Sequence, residues 1–296
     1  MVNLRLLVAY DGTDFRGLAP NEGVRTVVGE LQRVLEPLVG GVPEIVMSGR
    51  TDAGVHAWGQ VLSVEVPDGS ADPERIKRSI NARLAPEIVA RSVEVADADF
   101  SARFSATGRR YRYLIVNRDV PDPFLARTAW WVPRPLDRSA MAEAAAHFIG
   151  DHDFSSFCRR PKPRNDDDGN PVEVSLVRRV REARLVDRGD DILCFEIEGS
   201  AFCHQMVRSI VGFLVAVGTG KRRPDDVPAV LTARNRGAAE QPAPPTGLTL
   251  WQVEYGPPTG SAGPRPGSPS GPPGTARPDE IPADGDVGAG RTATVD

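Results

Sequence analysis

The order in which strand and helix patterns follow one another constrains this chain more than any other feature. Within residues 1–105, alternating and 3.6-residue apolar patterns predict the order strand, helix, strand, strand, helix, strand. The predicted elements are residues 4–10, 26–39, 45–47, 59–66, 73–84 and 87–95. This is the ferredoxin-like order of elements.

A second series of the same kind begins near residue 109. It predicts a strand at 109–117, a helix at 138–149 capped by Asp137, and strands at 174–186 and 192–198. An apolar helix at 204–217 that ends at Gly218, a short helix after Pro224 and a strand at 248–255 complete it. We therefore predict an α+β fold with two ferredoxin-like (RRM-like) halves, 1–105 and 106–256. They form one continuous mixed sheet with helices on one side and an active-site cleft between them.

Composition indicates a soluble globular protein with an added tail. The chain has 296 residues, of which 40% are hydrophobic and 26% charged. Residues 257–296 are rich in Pro, Gly, Ser and Ala and are predicted to be disordered, because they lack large apolar side chains. No apolar run approaches the ~20 residues that span a bilayer, and no secretion signal opens the chain. These features predict a cytoplasmic protein without a membrane partner.

The three cysteines, Cys158, Cys194 and Cys203, are few and widely spaced. An odd, irregular set fits reduced thiols in a reducing compartment rather than a disulfide framework. No two have the spacing of a zinc half-site, and Cys203 beside His204 is read as a buried thiol next to an ordinary histidine. The sequence predicts no metal.

Charge is distributed unevenly. The net charge of −4 and the isoelectric point near 5.7 argue against a nucleic-acid partner. Basic residues nevertheless cluster around residues 103–112, 159–164, 178–184 and 221–223. Because local potential steers a polyanion more than net charge does, the four clusters together favour an anionic partner.

One polar loop, residues 48–57, lies between the predicted strands 45–47 and 59–66. It places Arg50, Asp52 and His56 on a glycine-punctuated connection, and functional groups are often held on loops by a rigid sheet. The alternative is an ordinary turn in which Asp52 caps the backbone and Gly54 supplies a positive φ. Spacing alone leaves both interpretations open.

Four segments together resemble the TruA-type tRNA pseudouridine synthases. They are YDGTDFRG at 10–17, GRTDAGVHA at 49–57, RRYRY at 109–113 and FCHQMVRSIVG at 202–212. The resemblance spans about residues 3–255, in order and at suitable spacing. It implies isomerisation of uridine to pseudouridine at positions 38, 39 and 40 in the anticodon arm of tRNA, by a homodimer.

The implied reaction needs no cofactor, since no atom is gained or lost overall. The uracil–ribose bond breaks, the base turns within the pocket, and C5 rejoins the ribose C1′. The chain agrees with this, because it has neither a G-x-x-x-x-G-K-[ST] loop nor a G-x-G-x-x-G turn.

The resemblance also implies roles for individual residues. Asp52 is the catalytic carboxylate, as nucleophile toward C1′ or C6 or as base in a glycal route. Arg208 forms an ion pair with it, although plain exposure at a helix N-terminus is the alternative. Tyr111 stacks on the uracil and takes part in deprotonation at C5; a core aromatic is the alternative.

The remaining candidates contact the substrate. Arg50 fills the gap left by the flipped base, and Leu248 lies beside the pocket unless it is only core packing. His56 orients the loop or touches RNA, and of these an orienting role is favoured. Arg109, Arg110 and Arg112 are predicted to bind RNA.

Two features depart from the family pattern. Leu18-Ala19 stands where the family usually carries Trp-Gln, and residues 162–171 form a longer acidic linker.

Two rival functions are also considered. One rival is a non-catalytic RNA-binding module, which the absence of paired RNP aromatics disfavours. The other is a glycosidase-like hydrolase, with Asp11 or Asp14 as the second acid.

Overall fold

Ten strands form a single sheet that runs through both halves of the chain in the computed structural model. The structure describes residues 1–160, 164–165, 171–172 and 174–256. The predicted disordered tail and most of the predicted linker lie outside the described residues. Within the linker region, two short strands pair with each other apart from the main sheet.

The strands confirm most of the predicted strand positions. They are β1 (Val2–Tyr10), β2 (Ile45–Met47), β3 (His56–Val66), β4 (Ile88–Val95), β5 (Ala106–Val116), β6 (Trp130–Trp131), β7 (Gly150–Asp153), β8 (Arg164–Asn165), β9 (Pro171–Val172), β10 (Val177–Asp187), β11 (Ile192–Gly199) and β12 (Leu248–Tyr255). The short strands β6 and β7 lack a clear apolar alternation and were not predicted.

Five α-helices accompany these strands in the described part of the chain. They are α1 (Val27–Val39), α2 (Pro73–Leu84), α3 (Arg138–Ala146), α4 (Met206–Gly218) and α5 (Asp226–Ala233). None of them has the length and apolar character needed to cross a membrane.

Local sequence explains where α1 begins and ends. The Thr26 hydroxyl accepts a hydrogen bond from the Gly29 N–H at 3.2 Å, which satisfies one free donor of the first turn. Gly40 follows the last turn with a φ of 79°, a left-handed conformation that glycine adopts without strain. Between these caps, the apolar face predicted from spacing is buried, with Leu31 at its centre.

The predicted bounds of α3 and α4 were wrong in three places. Helix α3 ends at Ala146, before the predicted Ile149, and α4 begins at Met206 because Gln205 adopts a left-handed φ of 64°. Gly218 lies inside α4 instead of capping it. A Cβ at Gly218 would lie 2.6 Å from the sulfur of Met141 on α3, so the glycine permits close helix packing.

The strand order shows how the two halves join. The first half contributes the order β4-β1-β3 with β2 on β3, and the second contributes β12-β5-β11-β10-β7 with β6 on β5. Strands β3 and β12 pair in parallel at the junction, with Thr249 opposite His56 and Leu250 opposite Ala57. Most other pairs are antiparallel, so the sheet is mixed and the α+β class is confirmed. The junction lies immediately after the loop that carries Asp52.

The structure places two of the three cysteines side by side. Cys158 and Cys203 have their Cα atoms 5.8 Å apart, although 45 residues separate them in sequence. The segment before α4 runs beside the turn at Cys158, where the Arg159 N–H donates to the His204 carbonyl at 3.0 Å. Cys194 remains a free, buried thiol, as predicted. Such a tertiary contact is not visible in sequence spacing.

Helix α4 depends on a glycine at its contact with the segment that precedes β12. A Cβ at Gly212 would lie 2.1 Å from the Gln241 carbonyl oxygen, and backbone cannot move aside as a side-chain tip can. We expect Gly212→Ala to lower the free energy of unfolding by about 1–3 kcal/mol, although alanine favours helix by about 1 kcal/mol. Urea unfolding measures this. Gly41→Ala, which meets open space, is the control, and equal stability of both variants would contradict the packing argument.

Candidate active site

A cavity of about 800 Å³ lies where the two halves meet, a volume that suits a small ligand or a single nucleotide. One wall is the loop between β2 and β3, and another is the segment that leads from β11 into α4. The residues that carry functional groups or shape the cavity include Arg50, Asp52, Tyr111, Phe202, Arg208 and Leu248. Five of the predicted site residues are therefore brought together.

The loop around Asp52 is also a turn, so the two interpretations of its sequence are compatible. The Asp52 carbonyl accepts a hydrogen bond from the Val55 N–H at 3.1 Å. Gly54 has a φ of 78°, and a Cβ there would lie 3.0 Å from the Pro245 ring. The backbone of Asp52 makes the turn, which leaves its carboxylate free to face the cavity.

Hydrogen bonds from β1 and β3 hold this loop in place. The Tyr10 hydroxyl, at the end of β1, lies 2.7 Å from the Thr51 hydroxyl. The Ser48 hydroxyl donates to the side-chain oxygen Oε1 of Gln60 at 2.6 Å, and Nε2 of the same side chain donates to the Gly49 backbone carbonyl at 3.1 Å. These polar pairs fix the part of the loop that precedes Asp52.

The Asp52 carboxylate has a basic partner on each oxygen. Arg208 Nη1 lies 3.0 Å from Oδ2, and His204 Nε2 lies 3.1 Å from Oδ1. Arg208 Nε also donates to the Ala243 carbonyl at 2.8 Å, so a second bond fixes its guanidinium plane. The side chains of Asp52 and Arg208 are only 25% and 15% exposed, and their pairing compensates for lost hydration.

Tyr111 lies on the floor of the cavity. Its ring packs edge-on against Phe202, with centroids 5.1 Å apart. Burial raises the pKa of Tyr111 to about 12, so its phenol is neutral at pH 7. The residue therefore offers an aromatic face and a hydroxyl, but no negative charge.

Arg50 and Leu248 both line the cavity but differ in solvent exposure. Arg50 is exposed, and Leu248 is buried at the start of β12 while still lining the cavity. Leu18, at the position where the family pattern has tryptophan, is fully buried, and it lines the cavity together with Ala19.

His56 does not line this cavity, which argues against its predicted contact with the substrate. Its ring is buried, and Nε2 lies 3.0 Å from the Thr246 carbonyl, to which only an N–H can donate. Nδ1 lies 3.1 Å from both the Gly12 N–H and an Asp11 carboxylate oxygen. His56 ties three segments together, as the favoured orienting role requires.

Arg110 and Arg112, which are predicted to bind RNA, have partners within the protein. The guanidinium of Arg110 forms an ion pair with Glu198, and Arg112 Nε lies 2.8 Å from a Glu196 oxygen. Arg112 also stacks on Trp251, with its guanidinium carbon 3.7 Å from the ring centroid. Because side chains alternate along a strand, both point away from the face that carries Tyr111. Their charges are engaged within the protein.

Arg109 is on the same face as Tyr111, but it also has internal partners. It donates to the Ser48 carbonyl at 2.7 Å and to the Ser200 carbonyl at 2.9 Å. Ser48 opens the Asp52 loop, and Ser200 opens the segment that carries Phe202. Arg109 therefore braces two walls of the cavity, and its contact with RNA stays a prediction.

Sequence reasoning missed two residues of the site, Phe202 and His204. Phe202 packs on Tyr111, and His204, 48% exposed, contacts Asp52. His204 precedes Arg208 by four residues, which is a helical spacing that places two side chains on one face. That spacing was the available signal, although α4 itself begins only at Met206. No cluster of three metal-ligating side chains occurs among the described residues.

Comparisons with known proteins agree with this geometry. The sequence model of a family described as tRNA pseudouridine synthase matches residues 6–105 and 144–256. The tRNA pseudouridine synthase A of Paramagnetospirillum magneticum is 42% identical over 271 residues, covering 89% of this chain and 99% of that protein. Those of Geobacillus kaustophilus and Bacillus subtilis are 41% and 40% identical, covering 85% and 86% of this chain and 94% and 99% of theirs.

This chain therefore belongs to the tRNA pseudouridine synthase family, and the resemblance seen in the sequence is confirmed. A solved Cbf5–Nop10–Gar1 complex also aligns with 72% of this chain and 45% of its own chain. Its sequence identity is 14% and its TM-score 0.30, values too low to support an argument about the fold.

The tyrosines make the protein sensitive to alkali. Burial raises the pKa of Tyr111 to about 12 and those of Tyr10, Tyr113 and Tyr255 further, whereas tyrosines in an unfolded chain ionise near pH 10. Above about pH 10 the folded state binds more protons than the unfolded state, so the free energy of unfolding falls as pH rises. Urea unfolding between about pH 9 and 11 measures this fall. Tyrosinate absorbance that appears near pH 10 with the fold intact would contradict it.

Proposed function

We propose that this protein is an isomerase that converts uridine to pseudouridine in the anticodon stem-loop of tRNA. The observation that carries the proposal is the ion pair of Asp52 and Arg208 inside the cavity at the junction of the two halves. Membership of the tRNA pseudouridine synthase family supports it, as do relatives that match over almost their whole length.

The first step is extrusion of the target uridine. A stacked base is out of reach of Asp52, so the nucleotide has to flip into the cavity at a cost of a few kcal/mol. Arg50 is exposed at the rim, and a planar guanidinium can stack in the space that the base leaves. Arg50 thus keeps the flipped base out of the RNA helix.

Asp52 then acts on the flipped nucleotide. As a nucleophile it adds to the ribose C1′ or the uracil C6; as a base it removes the C2′ proton in a glycal route. In each route the bond between N1 and C1′ breaks, the base turns, and C5 bonds to C1′. That bond displaces Asp52 from C1′ in the first route; in the second, Asp52 is eliminated from C6, and in the glycal route it returns its proton to C2′. The proton that leaves C5 is balanced by the one that N1 gains. Arg208 holds the carboxylate in position through the whole sequence.

Tyr111 stacks on the uracil and handles the C5 proton. Its raised pKa means that the phenol is protonated when the substrate binds. Removal of the C5 proton through Tyr111 is therefore a relay: the oxygen accepts that proton as the hydroxyl proton passes to water, and N1 takes up a proton from water. Leu248 and Phe202 close the apolar side of the cavity and limit the volume in which the base can turn.

The finer assignments are part of the same proposal. The strand orders β4-β1-β3-β2 and β12-β5-β11-β10 support two ferredoxin-like halves, 1–105 and 106–256, each with its own helices. We assign the substrate positions to 38, 39 and 40 of tRNA and the assembly to a homodimer acting in the cytoplasm, as the family resemblance implies. The arm of tRNA that enters the cavity is the anticodon arm.

The two aspartates that the hydrolase alternative would use as its second acid have other partners. Asp11 is bound to His56, and Asp14 Oδ2 lies 2.5 Å from Arg127 Nη2. Neither aspartate lines the cavity that contains Asp52. A paired-carboxylate mechanism needs both groups across the scissile bond, so Asp11 and Asp14 do not fit the role of second acid.

Asp52→Asn tests the proposal against a binding module. Because the amide keeps the shape of the side chain but not its charge or nucleophilicity, turnover should fall by at least about a thousandfold with tRNA binding nearly intact. Chemical mapping of pseudouridine in tRNA after incubation measures turnover, and filter binding measures affinity.

Asp14→Asn is the matched control, since it removes a carboxylate outside the cavity, and it should retain turnover. Retained turnover in Asp52→Asn would overturn the catalytic assignment. Release of free uracil by the unaltered protein would establish the hydrolase instead.

A further inference from the structure

Phe104 is an unusually exposed aromatic side chain on the rim of the active-site cavity. Its side chain is 81% exposed, and it lines the cavity together with Arg103. The Arg103 guanidinium carbon lies 5.2 Å from the centroid of the ring. A large apolar ring gains nothing from hydrophobic burial in this position, so packing does not account for it.

The turn that carries Phe104 is firmly held. Ala102 is fully buried; its N–H donates to the Ser63 hydroxyl at 3.1 Å and its carbonyl accepts from the Tyr255 hydroxyl at 2.8 Å. The Ser105 N–H closes the turn on the Ser101 carbonyl at 3.0 Å. The exposed ring is therefore presented by bonds to β3 and β12, and its exposure is not a property of a loose loop.

The charges near Phe104 suit a polyanion. Arg16, Arg50 and Arg103 line the same cavity, and no carboxylate among residues 1–160 and 174–256 lies within 4.0 Å of their guanidinium groups. An aromatic face beside guanidinium groups is the combination that holds unstacked bases and their phosphates in single-stranded RNA sites.

Flipping one uridine creates a need for such a site. When a nucleotide leaves the stack, its neighbours lose a stacking partner, and a protein surface can replace that partner. The ring of Phe104 lies on the rim of the cavity that receives the flipped base, so it is within reach of the adjoining nucleotide.

We propose that Phe104 and Arg103 form a subsite for a nucleotide that flanks the target uridine. The ring of Phe104 stacks on the base of that nucleotide, and Arg103 binds its phosphate. The proposal rests on the proposed function, because it needs an RNA whose neighbouring base is already in the cavity.

Variants at Phe104 test this on an anticodon-arm RNA with the full-length protein. Base–aromatic stacking predicts that Phe104→Ala raises KM by about tenfold to a hundredfold, while the single-turnover rate at saturating RNA stays within about threefold of the unaltered protein. Phe104→Tyr should restore KM, and Phe104→Leu, which is apolar but has no π face, should not. Phe124→Ala is the control, because Phe124 is 84% exposed but does not line the cavity.

Three results would overturn the subsite. They are an unchanged KM in Phe104→Ala, full recovery in Phe104→Leu, and a changed oligomeric state of Phe104→Ala in light scattering, which would assign the ring to a contact between copies. Failure of the proposed function looks different, since the unaltered protein would then form no pseudouridine.

Discussion

The ion pair between Asp52 and Arg208 is the interaction on which the rest of the site depends. Asp52 belongs to a loop of the first half, and Arg208 lies in the first turn of α4 in the second half. A half-buried carboxylate without a cation would be destabilised by lost hydration. The reacting group therefore exists in usable form only where the two halves of the sheet meet.

Two features of the fold keep these partners at the right distance. The parallel pairing of β3 with β12 fixes the end of the Asp52 loop against the second half of the sheet. Arg109 binds the carbonyl at the start of that loop and the carbonyl of Ser200. Backbone on both sides of the cavity is thus tied to one strand, β5, and the floor residue Tyr111 lies on that same strand. The arrangement is preorganised before any substrate arrives.

Much of the fold was predictable, because it follows from local patterns. Helix α1 has its Thr26 cap and a continuous apolar face, and the bounds of α2 and β12 coincide with the predicted ones. The site was predictable only through the family resemblance, since spacing alone left the loop around Asp52 as a turn or a site. In the structure this loop forms the turn and also places Asp52 in the cavity.

The features that could not be predicted from the sequence were mostly tertiary contacts. The contact of His204 with Asp52 and that of Cys158 with Cys203 join segments that are far apart in the chain. The basic run at 109–112 is a different case. Strand alternation places Arg109 on one face of β5 and Arg110 and Arg112 on the other, a separation that the sequence already contains.

The single-turnover rate of Arg208→Gln at saturating tRNA tests the central claim most directly. Glutamine keeps hydrogen-bonding capacity but removes the charge opposite Asp52. If the ion pair prepares the carboxylate, the rate should fall by roughly tenfold to a hundredfold, the value of a charged hydrogen bond, with tRNA affinity little changed. A rate equal to that of the unaltered protein would contradict the account.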